Sequence, residues 1–139
     1  MYRKSLTKEQ ALQKLKHYCA YQERCHSEAQ DKLFQLGVRK NEHDEIISQL
    51  IEENYLNEER FAIAFARGRF RLKQWGRIKI RYELKKRQVS EYCINKALKM
   101  LEGEEYEEML KKLVSQKKTS DYLIGKGFEP ALVYKLIKE

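Results

Sequence analysis

An all-α fold is what this sequence predicts: three tandem three-helix repeats forming an elongated, curved helical array. Three observations predict it. One Pro and six Gly among 139 residues leave few breakers in a chain dominated by Leu, Lys, Glu, Gln and Arg, all good helix formers. No segment alternates apolar and polar residues with β-branched enrichment, so no strand is expected. The third observation is an internal repeat. Leu33-x-x-x-Gly37-Val38, Leu84-x-x-x-Gln88-Val89 and Leu123-x-x-x-Gly127-Phe128 align without gaps. Five residues further on stand His43, Ile94 and Val133, and eight and nine further stand Ile46-Ile47, Ala97-Leu98 and Leu136-Ile137. Self-similarity of this kind marks stacked supersecondary units, here bounded at 5–54, 55–101 and 104–139.

The elements follow in order. Thr7-Lys-Glu-Gln10 reads as a capping box, opening a helix to about Tyr21 with Ala11, Leu12, Leu15 and Cys19 on one face. Ser27-Glu-Ala-Gln30 reads as a second box, for a short helix through Leu33 and Phe34 that Gly37 ends as a C′ residue. Asn41 is positioned to cap a third helix to about Glu53, striped with Ile46, Ile47, Leu50 and Ile51. In the second round Asn57 caps a helix whose first turn holds Glu58 and Glu59, suited to the positive end of the helix dipole. Phe61, Phe65, Gly68 and Leu72 fall at helical spacing and predict its buried face. After a break at Trp75-Gly76, Ile80 and Leu84 point inward while Arg77, Arg81 and Lys85 form an outward row. Ser90 caps the last helix of this round, with Ile94, Ala97, Leu98 and Leu101 on one face. In the third round Tyr106, Met109, Leu110 and Leu113 stripe a helix from Glu104, Ser120 opens a short helix ending near Gly127, and Pro130 sits at N1 of the last one.

Composition narrows the function. Apolar residues make up 42% and charged residues 36%, which suits small amphipathic helices with broad wet faces better than one thick core. Residues 1–59 carry 9 basic and 11 acidic side chains (−2), residues 60–101 carry 13 and 2 (+11), and residues 102–139 carry 7 and 8 (−1). The net +8 therefore has one source, a focus that attracts polyanions or an acidic protein groove. No apolar run is long enough to span a membrane, no secretory h-region follows Met1, and three unpatterned cysteines, Cys19, Cys25 and Cys93, fit a reducing cytoplasm. Enzyme motifs are missing: there is no P-loop, no GxSxG, no HExxH and no carboxylate pair in an apolar setting. The paired glutamates at 52–53, 58–59, 104–105 and 107–108 fall at helix ends or on wet faces. His17, Cys19, Cys25 and His26 match no zinc spacing, and Cys19 lies on an apolar face, so no metal and no other cofactor is expected.

What remains is the block Arg60–Val89, where Glu83 is the one acidic residue. Its bland reading is a solvated face whose Lys and Arg stems cover apolar surface. Against that stands the lack of interspersed acidic partners, since like charges at i, i+4 cost helix stability. A binding surface is the better account, made of Arg67, Arg69, Arg71, Lys73, Arg77, Lys79, Arg81, Lys85, Lys86 and Arg87. Trp75, Phe70 and Tyr82 are placed to stack on unpaired bases or to anchor in a protein groove, although a lone Trp at a hinge more often wedges between helices.

Tyr55-Leu-Asn-Glu-Glu-Arg-Phe-Ala62, Ala66-Arg-Gly-Arg69 and Lys73-x-Trp-Gly-x-x-x-Ile80-x-x-Glu-Leu84 resemble the RecX family of bacterial recombination regulators. Arg24-x-x-Ser27-x-x-x-x-x-Leu33 and Tyr122-Leu-x-x-Lys-Gly-Phe128 extend the likeness over nearly the whole chain. Asn57 stands where the family commonly has Asp, and Gln88 where it has Gly. The resemblance implies a monomeric, cytoplasmic, non-enzymatic and mainly negative regulator of the RecA recombinase. Such a protein lies in the groove of the RecA filament on single- or double-stranded DNA and inhibits its ATPase, strand-exchange and coprotease activities. The basic residues above and Trp75 would be its contacts. A stand-alone, sequence-tolerant nucleic-acid-binding module is the other reading.

Overall fold

The computed structural model describes residues 6–139; the expected start of the first repeat at residue 5 lies outside them. Among the described residues there are nine helices and no strand. They are α1 (Lys8–Tyr21), α2 (His26–Gln35), α3 (Lys40–Glu52), α4 (Glu58–Lys73), α5 (Arg77–Lys86), α6 (Glu91–Lys99), α7 (Glu104–Ser115), α8 (Ser120–Gly125) and α9 (Pro130–Lys138). The chain divides into two compact units, one ending at Phe61 and one beginning at Ala62.

In the first unit α1, α2 and α3 pack pairwise around Ala11, Leu15, Ala29, Leu33, Ile46 and Leu50, all fully buried. The capping box at Thr7 forms as expected, with Thr7 Oγ1 accepting from the Gln10 N–H and Gln10 Oε1 accepting from the Thr7 N–H. The other two predicted caps shift toward the N-terminus. Helix α2 starts at His26, not after Ser27, because the Glu28 carboxylate accepts from the Cys25 N–H at 3.0 Å and fixes Cys25 as N-cap. Helix α3 starts at Lys40 behind Arg39, so Asn41 already lies inside the first turn. His43 is fully buried in this core, its Nε2 2.9 Å from the Val38 carbonyl oxygen and its ring edge-on to Phe34 at 4.5 Å.

In the second unit the buried stripe of α4 differs from the expected one. Ala62, Ala66 and Phe70 are buried, Phe65 is half-buried and Leu72 is 84% exposed. Two stripes were available on this helix. The buried one carries two small residues and one large ring, and that ring fills the volume beside Tyr106. Phe70 (1% exposed) stacks on Tyr106 at 5.6 Å, and Tyr106 lies 5.4 Å from Phe128. Ile80, Leu84, Ile94, Ala97, Leu110, Leu113, Leu123 and Val133 complete the core.

The sequence repeat has a backbone cause. In each copy the helix closes with the residue at the Gly37 position in the left-handed region, at φ 75° (Gly37), 63° (Gln88) and 96° (Gly127). The next amide then reaches back to the leading leucine: Val38 to Leu33, Val89 to Leu84, and Phe128 to Leu123. A second bond joins Gly37 to Phe34, Gln88 to Lys85, and Gly127 to Ile124. This is the Schellman closure, which wants an apolar residue on both sides of the turn. Leu-x-x-x-(Gly/Gln)-(Val/Phe) writes it in sequence.

Candidate functional site

The Trp75-Gly76 break is where the basic block meets the α8–α9 turn. Gln74 takes φ 57° to end α4, and α5 then begins with no side-chain cap on its exposed N–H groups. Three other groups supply the missing acceptors. The Gly76 N–H donates to the Lys126 carbonyl (2.8 Å), the Ile78 N–H to the Gly127 carbonyl (3.0 Å), and the Arg77 N–H to the Tyr106 hydroxyl (3.0 Å). The approach is so close that a Cβ on Gly76 would sit 2.3–2.4 Å from backbone atoms of Gly127 and Phe128. Tyr106 also donates its own hydroxyl to Glu129 at 2.5 Å. Burial, reinforced by that bond, pushes the phenol well above its ordinary pKa, so it stays a donor.

Arg77 belongs to the same junction. Its Nε donates to Glu129 at 2.7 Å and its guanidinium lies 4.1 Å from the centre of the Tyr106 ring. The expected outward row of Arg77, Arg81 and Lys85 therefore loses its first member to the interior. The block also does not lack acidic partners, as its local sequence suggests; apart from Glu83 they come from outside it. Arg71 pairs with Glu105 (3.1 Å), Arg81 with Glu91 (2.9 Å) and Asn95 (2.8 Å), Lys85 with Glu91 (2.9 Å), and Arg87 with Glu83 (2.9 Å). A hydrogen bond from Lys85 holds the Glu91 carboxyl below its usual range, and one from Arg87 does the same for Glu83. The pairs of Arg71 and Lys85 are more than half exposed. Exposed pairs contribute little and are screened by salt, so these cations can trade a carboxylate for a phosphate.

Trp75 is half-buried, set edge-on to Phe65 at 6.4 Å. Arg69 covers both rings, 4.7 Å from Phe65 and 5.4 Å from Trp75, while Lys79 lies 4.7 Å over Trp75 and Arg87 4.7 Å over Phe65. This aromatic pair thus gathers three of the predicted cations by cation–π attraction, and Trp75 packs at the hinge. Phe70 is in the core and offers no stacking face; Tyr82 is 63% exposed and does. Arg67, Lys73 and Lys86 are exposed and form no ion pair with any described residue.

A count decides whether the pairing neutralises the surface. Residues 62–139 carry 19 basic and 10 acidic side chains, a net +9, against 10 and 11 for residues 1–61, a net −1. Even with every carboxylate of the second unit engaged, nine cations remain. The fold and this surface define a helical-repeat protein whose second unit presents uncompensated positive charge.

Comparison with known proteins carries this class to a family. The second three-helix domain of RecX matches residues 57–98. The regulatory protein RecX of Thermotoga petrophila is 30% identical over 124 residues, covering 86% of this chain and 77% of that one. The RecX of Bacillus cytotoxicus is 27% identical over 136 residues, covering 88% of this chain and 50% of that one. The chain belongs to the RecX family, a family of regulatory proteins. It spans about half the length of the Bacillus relative and of a similar one from Oceanobacillus iheyensis. The fold is that of two RecX crystal structures. The one from Lactobacillus salivarius has a TM-score of 0.82 at 21% identity over 94% of both chains, and the other has 0.83 at 20% over 95% of this chain and 73% of its own. No helix among the described residues is long and apolar enough to cross a membrane.

Proposed function

We propose that this protein regulates the RecA recombinase, mainly negatively, by laying the basic surface of its second unit against the RecA–DNA filament. The observation that carries the reading is the net +9 of residues 62–139 on a RecX fold. Arg67, Lys73 and Lys86 are its free charges, and Arg71 and Lys85 its exchangeable ones, with Tyr82 a stacking face beside them on α5. Arg77, Arg69, Lys79 and Trp75 support the surface from within. A filament on DNA offers both phosphate and acidic protein, and a surface of point charges without an enclosed pocket is suited to both.

The test is RecA-catalysed strand exchange and ATP hydrolysis with wild-type protein and with the variant R67E/K73E/K86E. Stoichiometric wild-type protein should inhibit both activities. The variant should need at least tenfold more protein while keeping its helical circular dichroism. Full inhibition by the variant would show the interface to be elsewhere. The second reading, a stand-alone nucleic-acid-binding module, draws on the same net charge. It predicts DNA binding that falls steeply with salt, by close to one power of salt concentration per phosphate contacted, and no effect on RecA.

A further inference from the structure

The first unit, near neutral in total, holds a separate cationic and aromatic cleft. Lys14, His17, Tyr18 and Tyr21 recur at i, i+3, i+4 and i+7 of α1, which puts them on one face beside the buried stripe. Together with Lys32 of α2 and Arg24 of the connecting loop they line an open cleft of about 520 Å³ with no carboxylate in its wall. The arrangement is built in advance. Arg24 donates Nε to the Tyr18 carbonyl at 3.1 Å and stacks 3.7 Å from the centre of the Tyr18 ring. That fixes the guanidinium and leaves its two terminal nitrogens without a described partner. Lys32 Nζ lies 5.3 Å from the centre of the same ring, and neither it nor Lys14 forms an ion pair with a described residue. Glu28, whose charge is felt at Tyr18, has its carboxylate turned onto the Cys25 N–H. Tyr21 is 82% exposed, with Arg24 6.0 Å from its ring centre.

Three cations without acids would suit any anion; the exposed tyrosine beside them adds a flat apolar face that a bare anion has no use for. We propose that this cleft binds a 5′-phosphorylated nucleotide, with the base stacked on Tyr21 and the phosphate held by Lys14, Lys32 and the free end of Arg24. The ligand is either a free nucleotide or one nucleotide unit of a single strand, which share this chemistry. The site goes beyond the basic surface of the second unit and uses none of its residues.

The full-length chain, labelled with ¹⁵N, would be titrated with adenosine 5′-monophosphate, inorganic phosphate and a four-residue oligothymidylate, following backbone amide shifts. The nucleotide should move the amides of residues 14–24 and 32–36. K14E/K32E should weaken it at least tenfold, and Tyr21→Ala at least fivefold while leaving inorganic phosphate unaffected; all three side chains project from the core, so the spectrum reports folding at the same time. Tighter binding of the oligonucleotide at these amides assigns the site to a strand, and equal or weaker binding assigns it to a free nucleotide; both support the proposal. Shifts confined to residues 62–139, phosphate binding as tightly as the nucleotide, or wild-type affinity in K14E/K32E would overturn it.

Discussion

Gly37 and Gly127 hold the same place in two turns closed by the same pair of hydrogen bonds, yet their surroundings are opposite. A Cβ on Gly37 would meet nothing within 4 Å, whereas one on Gly127 would sit 2.3 Å from Lys79 Cβ and 2.5 Å from Lys79 N. The first turn ends a helix. The second ends a helix and also caps another, since its carbonyls at Lys126 and Gly127 accept the first amides of α5. Repeats alike in local structure thus differ in what they carry, and the third repeat's turn holds the start of the most basic helix. The position of Lys79, Arg81, Lys85 and Lys86 depends on two glycines, Gly76 and Gly127, on opposite sides of that contact.

The largest effect expected from breaking this comparison is at Gly76. Its φ of −82° and ψ of 172° suit any residue, so the whole cost of Gly76→Ala comes from the contact. The backbone must separate, with loss of two amide hydrogen bonds, for about 4 kcal/mol. Gly127→Ala should cost about as much, since left-handed strain joins a clash that falls partly on the Lys79 side chain, while Gly37→Ala should cost about 1 kcal/mol from strain alone. Thermal unfolding followed by circular dichroism ranks the three. Equal losses at Gly37 and Gly127 would mean that the α8–α9 turn does not clamp α5. Because Gly76 and Gly127 sit on one junction, the double variant should cost less than the sum of the single ones.

Next in size is Tyr106→Phe. The hydroxyl accepts from Arg77 N–H and donates to Glu129, so its removal leaves a helix amide and a carboxylate oxygen unsatisfied. A loss of about 2 kcal/mol is expected. The phenol's raised pKa gives this variant a second signature. In the wild type the neutral form is favoured on folding, so its contribution is complete below the unfolded value of about 10 and is lost as the pH rises past it. The phenylalanine variant should lack that part of the alkaline decline.

What was legible in the sequence follows the distance over which each interaction acts. The Thr7–Gln10 box and the close of α2 at Gly37 are set by residues three to five apart, and both appear as read. Pro130 at the start of α9 is the same case. The α4 register differs from the expected one because volume favours Phe65 and Leu72, while the buried face carries Ala62, Ala66 and Phe70. Two acidic partners of the basic block, Glu105 and Glu129, were invisible for a different reason. Glu105 lies 34 residues from Arg71 and Glu129 lies 52 from Arg77, so no helical spacing relates them. Gly76 was legible as a break and not as a contact, since a break needs one chain and a contact needs two.

The smallest effect runs the other way and tests whether the middle repeat differs from its neighbours in strain alone. Gln88 takes φ 63° where the flanking repeats have Gly37 and Gly127. Its backbone hydrogen bonds are those of the other turns, and Gln88 is exposed, so its side chain supplies no buried contact that would offset the left-handed conformation. Gln88→Gly should therefore stabilise the protein by about 0.5–1 kcal/mol, less than the full strain because glycine also gains freedom in the unfolded chain. A rise in melting temperature with an unchanged helical circular dichroism spectrum would assign the substitution to the turn. A fall would show that Gln88 makes an interaction worth more than its strain, and would make this turn unlike the other two in kind as well as in sequence.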